Sequence, residues 1–321
     1  MIRLLGLGNA ITDVHVSIES DDMLLELGLP KGSMQLIDSA RFEMIHDKMQ
    51  GSIMQVSCGG SAANTITGAS KLGVPSAFIG KVHSDEIGQM YRKDMESYDV
   101  KTLLLHDSDA SGQAFAFVSS DGERTFATYL GAAANLQPDD LKSEDFVGHD
   151  VLYLEGYLVQ NQALVLRAVE LAKLNGLKVA LDLASYNVVD ANRHFLTDLI
   201  EKSVDMVFAN EEEAKSLTGL EPHSAVGFLS EICEIAIVKI GAEGALAQKG
   251  DRCVHLPAIP ANKVDTTGAG DLFAAGFLYG MHLGKGLHEC TRYGTVIAGK
   301  VIEVIGPKMQ PETWLEIQSL F

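Results

Sequence analysis

Short apolar runs recur along most of the chain, and patterns typical of helices lie between them. Segment 161–176 has helical composition and closes on Asn175-Gly176, which is typical of a helix C-terminus. Continuous apolar runs of this length suit strands that are covered on both faces, as in a parallel sheet. The alternation predicts an α/β fold with a doubly wound, mostly parallel sheet. The apolar runs are residues 2–8, 76–80, 151–156, 178–183, 205–210 and 235–240.

Two regions depart from this pattern. Residues 13–38 contain short strand patterns with one polar face. In residues 112–130, apolar and polar residues alternate on both sides of Ser120-Asp121-Gly122, which predicts a β-hairpin. Such strands fit poorly into a parallel core, so we expect them to pair into a small β-sheet that covers one edge of the main domain as a lid. The predicted division is a core of residues 1–12, 39–101 and 131–321, and a lid of residues 13–38 and 102–130.

Composition and charge narrow the function classes. The 321 residues are 46% hydrophobic and 21% charged, as expected of a globular protein with a substantial core. The net charge of −18 argues against nucleic acid or an anionic membrane as the main partner, because both repel acidic surfaces. Local backbone dipoles can still hold a small anion such as a nucleotide.

Cysteine usage and the N-terminal residues bear on location. The four cysteines show no C-x-x-C spacing, which favours free thiols in a reducing compartment over a disulfide framework or a zinc site. The segment MIRLLGLGNAITDV becomes polar too soon for a signal peptide or a membrane span. We therefore expect a cytoplasmic protein.

The stretch VDTTGAGDLFAAGFLYG, residues 264–280, joins a glycine-rich turn to an apolar helix. One interpretation is purely structural, since such residues commonly cap helices. The other is chemical: Gly268, Ala269 and Gly270 leave backbone amides bare at a helix start, where the helix dipole favours an anion. Phosphoryl transfer needs such donors, and the neighbouring Asp271 can accept the proton of an attacking hydroxyl. The turn lacks the Gly-Lys-Ser/Thr of a Walker A loop.

The segment DTTGAGD, residues 265–271, closely resembles the second signature of the ribokinase-like (PfkB) carbohydrate and nucleoside kinases. The resemblance implies that Asp271 is the catalytic base and that residues 268–270 form the anion hole. It also implies ATP and Mg²⁺ as cofactors, with a monovalent cation as a further candidate, and places Thr266 at the nucleotide. Four other segments follow in the family's order, so the resemblance covers essentially the whole chain: residues 7–13, 56–73, 208–214 and 238–247.

Segment 56–73, VSCGGSAANTITGASKLG, resembles the first family signature. Gly59 and Gly60 would let a hydroxyl-rich substrate approach the backbone, and Ser61 follows them. Asn64 would present a donor and an acceptor to the substrate hydroxyls from the start of a helix. The alternative is a helix N-terminus packed tightly against a strand.

Asn9 and Asp13 follow the first predicted strand. Ligand groups in an open α/β sheet come from the carboxyl ends of its strands, so both residues are well placed. The resemblance makes Asp13 an acceptor for a substrate hydroxyl and Asn9 a nearby polar contact. The alternative is that Asp13 caps a turn.

Two later segments resemble the nucleotide side of the family's site. Asn210 and Glu213 form an Asn-x-x-Glu pair that in the family organises Mg²⁺ and phosphate through water; alone, the pair reads as a capping box. Segment 238–247 resembles a strand-turn-strand beside the nucleotide, with Gly241 and Gly244 in the turn near the phosphates. Lys239 is a cofactor contact or a packed side chain with a snorkelling amine.

Arg124 and Tyr157 each have two interpretations. Arg124, on the predicted lid hairpin, would clamp the phosphoryl group when the lid closes, or it is a solvated strand charge. Tyr157 would stack on a base, or it is a half-buried core tyrosine.

Several details resemble the adenosine-kinase-like branch of the family, among them Ser61 after the two glycines and the segment LGAAANL, residues 130–136. We therefore expect ATP-dependent phosphorylation of a primary hydroxyl on a ribosyl-type substrate, first of all adenosine. The alternatives are a kinase for ribose, fructose or a related sugar, and a non-catalytic protein that senses a nucleotide or sugar. We expect a monomer, or a homodimer formed through the lid.

Overall fold

The computed structural model describes residues 1–49, 54–120 and 123–321. Its strands, in chain order, are β1 (Leu4–Leu7), β2 (Ile11–Ser17), β3 (Met34–Leu36), β4 (Met54–Gly59), β5 (Ser76–His83), β6 (Lys101–Asp107), β7 (Gly112–Val118), β8 (Arg124–Tyr129), β9 (Val151–Glu155), β10 (Lys178–Asp182), β11 (Met206–Asn210), β12 (Ile235–Lys239), β13 (Ala245–Lys249) and β14 (Arg252–Leu256). The helices are α1 (Asp22–Glu26), α2 (Ser39–Met49), α3 (Ser61–Lys71), α4 (Glu86–Ser97), α5 (Gln162–Leu174), α6 (Tyr186–Ser203), α7 (Glu211–Thr218), α8 (Pro222–Ile232), α9 (Ala269–His282), α10 (Leu287–Val301) and α11 (Pro311–Ser319).

The large sheet has the strand order β14-β13-β12-β11-β10-β9-β1-β5-β6 in the described part of the chain. Strands β6 to β12 in this order pair in parallel, and β13 and β14 extend the sheet as an antiparallel hairpin. All six apolar runs from the sequence form parallel strands here, so the predicted fold class is confirmed. Strand order reverses beside β1, and this is the kind of position where open α/β sheets bind ligands.

Helices cover both faces of the large sheet. Successive strand residues point to opposite faces, so Leu152 and Leu154 enter one buried cluster, while Val151 and Tyr153 enter the other. Helices α5 to α8 pack on the first face, and α3, α4 and α9 to α11 on the second. Within the described residues, no helix combines the length and apolar character needed to cross a membrane.

The small sheet has the order β3-β8-β7-β2-β4. Strands β7 and β8 pair antiparallel from Gln113–Tyr129 to Val118–Arg124, which confirms the predicted hairpin strands. Asp121 and Gly122 of its predicted turn lie outside the described residues. One face of the sheet packs on α1 and α2, and the other faces the carboxyl ends of the parallel strands.

The lid boundaries differ from the prediction at two places. Strand β6 was predicted in the lid, but it pairs with β5 at the edge of the large sheet, where an edge strand tolerates polar residues. Strand β4 and helix α2 were predicted in the core, but β4 pairs with β2, and Phe42 and Ile45 of α2 pack against the small sheet. The lid is therefore built from more separate segments than the sequence pattern indicates.

Candidate active site

The glycine-rich turn at 264–268 leads directly into α9, as the sequence predicts. Gly268 has φ = +75°, and a Cβ there would lie 2.6 Å from the Cβ of Pro307. A Cβ on Gly270 would lie 3.0 Å from the Nζ of Lys239. Gly268 needs glycine for its left-handed backbone, and Gly270, inside α9, leaves room for the Lys239 amine. The amide of Ala269 is occupied, because it donates to the carbonyl of Thr266 at 3.2 Å; its part in the anion hole stays a prediction.

Asp271 lies at the junction of α9 and α3. One carboxylate oxygen accepts a hydrogen bond from Ser61 Oγ at 2.7 Å, and the other accepts one from Asn64 Nδ2 at 2.9 Å. Burial raises the pKa of Asp271 to about 6, and the hydrogen bond from Asn64 opposes that rise. The two donors fix the orientation of a carboxylate whose pKa suits a base that works near neutral pH.

Ser61 and Asn64 were predicted to bind substrate, but in the structure their side chains donate hydrogen bonds to Asp271. Asn64 is buried behind Asp271 and is not on the wall of the central or lid cavities described below. Ser61 does line both of those cavities. The structure therefore gives both residues a contact with the candidate base, and a substrate contact remains a prediction for each.

Asp13 lies in β2 on the face of the small sheet that looks into the cleft, not in a turn. Its carboxylate lies directly against Gly59, where a Cβ would clash with it. Burial raises the pKa of Asp13 to about 7, and the positive charge of Lys308 opposes that rise. Gly60 has φ = +93° and precedes the first residue of α3. Gly59 therefore makes room for Asp13, and Gly60 makes the turn into the helix.

Glu155 is a buried site residue that the sequence reasoning missed. One carboxylate oxygen accepts hydrogen bonds from Asn9, at 2.6 Å from the side-chain amide and 3.3 Å from the backbone. The other accepts the Ala62 amide at 3.1 Å. Burial raises the pKa of Glu155 to about 7. Glu155 thus ties the end of β1 to the start of α3, and Asn9 contacts it with the groups that were predicted to meet substrate.

Asp182 is the second missed residue, and it corrects the interpretation of Lys239. The Lys239 amine lies 3.0 Å from Asp182 Oδ2, and the two side chains are 15% and 5% exposed. Burial favours the neutral amine, but Asp182 and Glu213 outweigh it and raise the pKa of Lys239. Lys239 is thus a buried cation and does not snorkel to solvent. Glu155 and Asp182 are each the last residue of an apolar strand. A single acid at that position was the only sign in the sequence that either residue belongs to the site.

Asn210 and Glu213 form the capping box of α7. The Glu213 carboxylate accepts the Asn210 backbone amide at 2.7 Å and its side-chain amide at 2.8 Å, and Asn210 Oδ1 accepts the Glu213 amide at 2.8 Å. Burial raises the pKa of Glu213 to about 7. Both carboxylate oxygens of Glu213 therefore already accept hydrogen bonds within the capping box. A contact between Glu213 and a metal ion, through water, stays a prediction.

Arg124 projects from β8 onto the loop before α9. Its guanidinium lies 2.5 Å from Asp265 Oδ2 and donates to Thr267 Oγ1 at 3.0 Å. The Arg124 side chain is 15% exposed, so the interpretation as a solvated strand charge is wrong. A contact with a phosphoryl group stays a prediction.

Three adjoining cavities connect these residues. The central cavity, about 470 Å³, shares Ser61 and Tyr157 with the lid cavity, about 620 Å³. It shares Lys239, Gly241 and Gly270 with the outer cavity, about 560 Å³. Asp271, Gly268 and Gly270 lie on the wall of the central cavity. The base and the bare turn therefore lie between two larger spaces.

The remaining predicted residues fall on the walls of these cavities. Tyr157 is half-buried, and its hydroxyl donates to the Ala184 carbonyl at 3.4 Å. Thr266 and Gly244 line the outer cavity, on the side predicted for the nucleotide. Gly244 has φ = +100°, and a Cβ there would clash with the Leu256 carbonyl. Gly244 is therefore required by the strand-turn-strand itself.

Charge in the central cavity bears on metal binding. Asp182, Asp271 and the three consecutive acids 211–213 line it together with the cation Lys239. Among the described residues, no cluster of three acidic, histidine or cysteine side chains could bind an ion by itself. The donor set fits Mg²⁺ held chiefly by phosphate oxygens and water, since Mg²⁺ keeps waters and needs few carboxylates.

Comparison with known proteins identifies this arrangement. The model of the pfkB family carbohydrate kinases matches residues 32–314. The chain belongs to the pfkB family of carbohydrate kinases. Membership makes it a phosphotransferase with an alcohol group as acceptor.

Individual pfkB relatives carry different substrate names. An uncharacterized sugar kinase from Archaeoglobus fulgidus is 32% identical over 75% of this chain and 96% of its own length. A 5-dehydro-2-deoxygluconokinase from Bacillus licheniformis is 28% identical over 82% of this chain and 86% of its own length. The structure of an adenosine kinase from Sinorhizobium meliloti has a TM-score of 0.88 and 34% identity, and covers 100% of this chain and 99% of the other. The family thus fixes the class of reaction and leaves the acceptor open.

Proposed function

We propose that this kinase transfers the γ-phosphate of ATP to the primary hydroxyl of a ribosyl-type nucleoside, with adenosine as the first candidate. The observation that carries the proposal is the position of Asp271, on the wall of the central cavity between the lid cavity and the outer cavity. A hydroxyl in the lid cavity and a triphosphate reaching in from the outer cavity would meet at this carboxylate.

The outer cavity suits the nucleoside part of ATP. Its wall combines apolar side chains of the segment 258–261 and of α10 with the backbone of the strand-turn-strand. Such a surface matches a flat, weakly polar base. The triphosphate would then extend past Lys239 towards Gly268 and Gly270. A buried ammonium beside bare amides provides the electrostatic environment that phosphoryl transfer needs.

The lid cavity suits a nucleoside better than a free sugar. Near the central cavity its wall is polar, with Asn9, Asp13 and Glu155; the rest combines apolar side chains of the lid and the core with polar core residues such as Asn187 and Asn192. A pentose would fill the part beside Asn9, Asp13 and Glu155, and the rest of the cavity, which is about 620 Å³ in all, would remain empty. The whole-length similarity to the S. meliloti adenosine kinase supports the same conclusion.

The second candidate acceptor is a free sugar or sugar acid. The relatives named sugar kinase and 5-dehydro-2-deoxygluconokinase support it, as does the polar part of the lid cavity. A non-catalytic sensor is the weaker alternative, because such a protein would not need a base oriented by Ser61 and Asn64.

We assign the chemical roles as follows. Asp271 takes the proton of the attacking hydroxyl, held in place by Ser61 and Asn64. The amides at the start of α9 stabilise charge on the transferred group. Asp13 accepts a substrate hydroxyl, and the small sheet closes over the substrate, which excludes water and limits hydrolysis of ATP.

Mg²⁺ would neutralise charge on the triphosphate when it is bound. Asn210 and Glu213 would hold it through water, because the capping box already occupies the Glu213 carboxylate. The acids of the central cavity repel a triphosphate that carries no metal ion. This repulsion is a reason, specific to this chain, to expect that ATP binds together with Mg²⁺.

The test is ADP release, measured with ATP and Mg²⁺ over a panel of acceptors: adenosine, inosine, guanosine, ribose, fructose and 5-dehydro-2-deoxygluconate. We expect the highest kcat/KM for adenosine. Turnover of a free sugar or sugar acid, with none for any nucleoside, would contradict the nucleoside proposal and support the second candidate. Nucleotide binding without any turnover would support the sensor.

A further inference from the structure

The Asp265 carboxylate joins the anion-hole turn to the loop after α10. One oxygen accepts the Thr267 amide at 3.1 Å and the Thr267 hydroxyl at 2.8 Å. The other accepts the Gly306 amide at 2.7 Å. Burial opposes ionisation, but these donors and Arg124 hold the pKa of Asp265 below its usual range. Asp265 is therefore a half-buried anion that fixes the start of the turn.

Arg124 adds the lid to this arrangement. It belongs to β8 of the small sheet, and its guanidinium contacts both Asp265 and Thr267. The side chains of Arg124 and Asp265 are 15% and 9% exposed, so water screens their attraction weakly. Breaking such a shielded pair leaves an uncompensated charge, which is far more costly than losing a surface ion pair.

We propose that Arg124 is a positioning residue, which couples closure of the lid to the shape of the anion hole through Asp265. The proposal rests on the anion hole and base described under the proposed function. It differs from a direct phosphoryl clamp in what Arg124 touches. A clamp would act on the bound triphosphate, whereas the observed contacts of Arg124 Nη1 with Asp265 and Thr267 act on the turn itself.

The coupling has a physical consequence for the order of events. While the small sheet is in place, Arg124 neutralises Asp265 and holds Thr267 beside it, so the bare amides of the turn keep their direction. When the small sheet moves away, the turn loses this support. The anion hole would thus be complete only when the acceptor is enclosed, which disfavours transfer to water.

A double-mutant cycle tests the proposal with the variants Arg124→Met, Asp265→Asn and both together. We expect each single change to lower kcat roughly 10- to 100-fold, as for small misplacements of catalytic groups. We expect Arg124→Met to have little further effect when Asp265→Asn is already present, since the two act as a unit. Equal losses from Arg124→Met in both backgrounds would overturn the proposal and support a direct contact with phosphate.

Hydrogen exchange gives a readout that does not depend on turnover. We expect Arg124→Met to speed exchange of the amides in residues 266–270, in the protein without substrate. A residue that acts only on bound phosphate would leave this exchange unchanged, and that result would also overturn the proposal. If no nucleoside in the panel is phosphorylated, the nucleoside proposal fails, but this exchange measurement still decides the role of Arg124.

Arg41→Met is the matched control. Arg41 is another lid-side arginine, and it donates to the carbonyls of Leu27 at 2.8 Å and Gly28 at 2.7 Å, away from the anion-hole turn. Its loss should loosen the lid locally, while exchange in residues 266–270 stays at the unmodified rate. Faster exchange there in Arg41→Met would show that any damage to the lid reaches the turn, which would remove the specific role of Arg124.

Discussion

Asp271 and Asp13 are two carboxylates in one cleft, and their surroundings prepare them for different tasks. Asp271 receives hydrogen bonds from Ser61 and Asn64, which hold it in one orientation. Asp13 lies against Gly59 on the substrate side. Burial raises both pKa values, to about 6 for Asp271 and about 7 for Asp13. A fixed base and a nearby hydroxyl acceptor are the minimum that the proposed transfer needs.

The pKa of Asp271 predicts the acid limb of the pH-rate profile. A base must be ionised, and kcat/KM reports the groups of the free enzyme, so kcat/KM should fall as the pH drops through about 6. An aspartate with an ordinary pKa would keep its activity down to about pH 4. The hydrogen bond from Ser61 lowers the pKa of Asp271, so Ser61→Ala should move the limb to higher pH. A limb near pH 4, or a shift to lower pH in the variant, would contradict the assignment.

Sequence reasoning found some site residues and missed others for a physical reason. Asp271 and Asp13 lie in segments where glycines and polar residues accumulate, and such segments carry a recognisable motif. Glu155 and Asp182 are single acids at the ends of apolar strands, and nothing in the local pattern separates them from a turn residue. Their importance comes from partners far along the chain: Asn9 and Ala62 for Glu155, and Lys239 for Asp182.

At the scale of elements, the turn before α9 depends on a left-handed residue. Gly268 has φ = +75°, and a Cβ there would meet Pro307. Gly268→Ala should therefore lower both stability and kcat, because the turn has to shift away from the transferred group. Strain at a left-handed position costs on the order of 1 kcal/mol, and the clash adds to it.

Gly284→Ala is the control for this prediction. Gly284 follows α9 with φ = +69°, and no atom lies within 4 Å of a Cβ placed there. It should lose a similar increment of stability from backbone strain, measured as a shift in Tm, with kcat unchanged. If both variants lose kcat equally, the turn before α9 has no special part in the reaction.

The strands also show which parts of the sheet topology a local sequence pattern predicts and which it does not. The six parallel strands and the β7–β8 hairpin were predictable because burial on both faces, or on one, produces distinct apolar periods. Strand β4 was wrongly assigned to the core and strand β6 to the lid, because both are edge strands with mixed polarity. Their pairing partners, β2 and β5, decide which sheet they join, and local pattern does not encode that choice.

At the scale of the whole molecule, the lid cavity exists only because the small sheet lies over the large one. Leu36, in β3, contributes an apolar side chain to this cavity and is 53% exposed without substrate. If a base fills the outer part, Leu36→Ala should raise KM for adenosine several-fold and leave kcat nearly constant, since the lost contact is made equally in the ground and transition states.

Leu166→Ala is the matched change outside the cavity. Leu166 lies on α5 and is 52% exposed. The substitution therefore removes the same type of side chain from a surface position outside the cavity. It should leave KM unchanged. An unchanged KM for adenosine in Leu36→Ala would show that no base contacts this part of the lid.

The claim on which the account depends is that Asp271 acts as the base, and Asp271→Asn tests it most directly. The variant should bind ATP and adenosine with affinities close to those of the unmodified enzyme, because the isosteric side chain keeps its place beside Ser61 and Asn64. Its kcat should fall by roughly 10²–10⁴-fold, the usual contribution of a general base. Asp198→Asn, on the solvent side of α6, provides the control and should turn over normally. Near-normal turnover in Asp271→Asn, with binding intact, would contradict the mechanism.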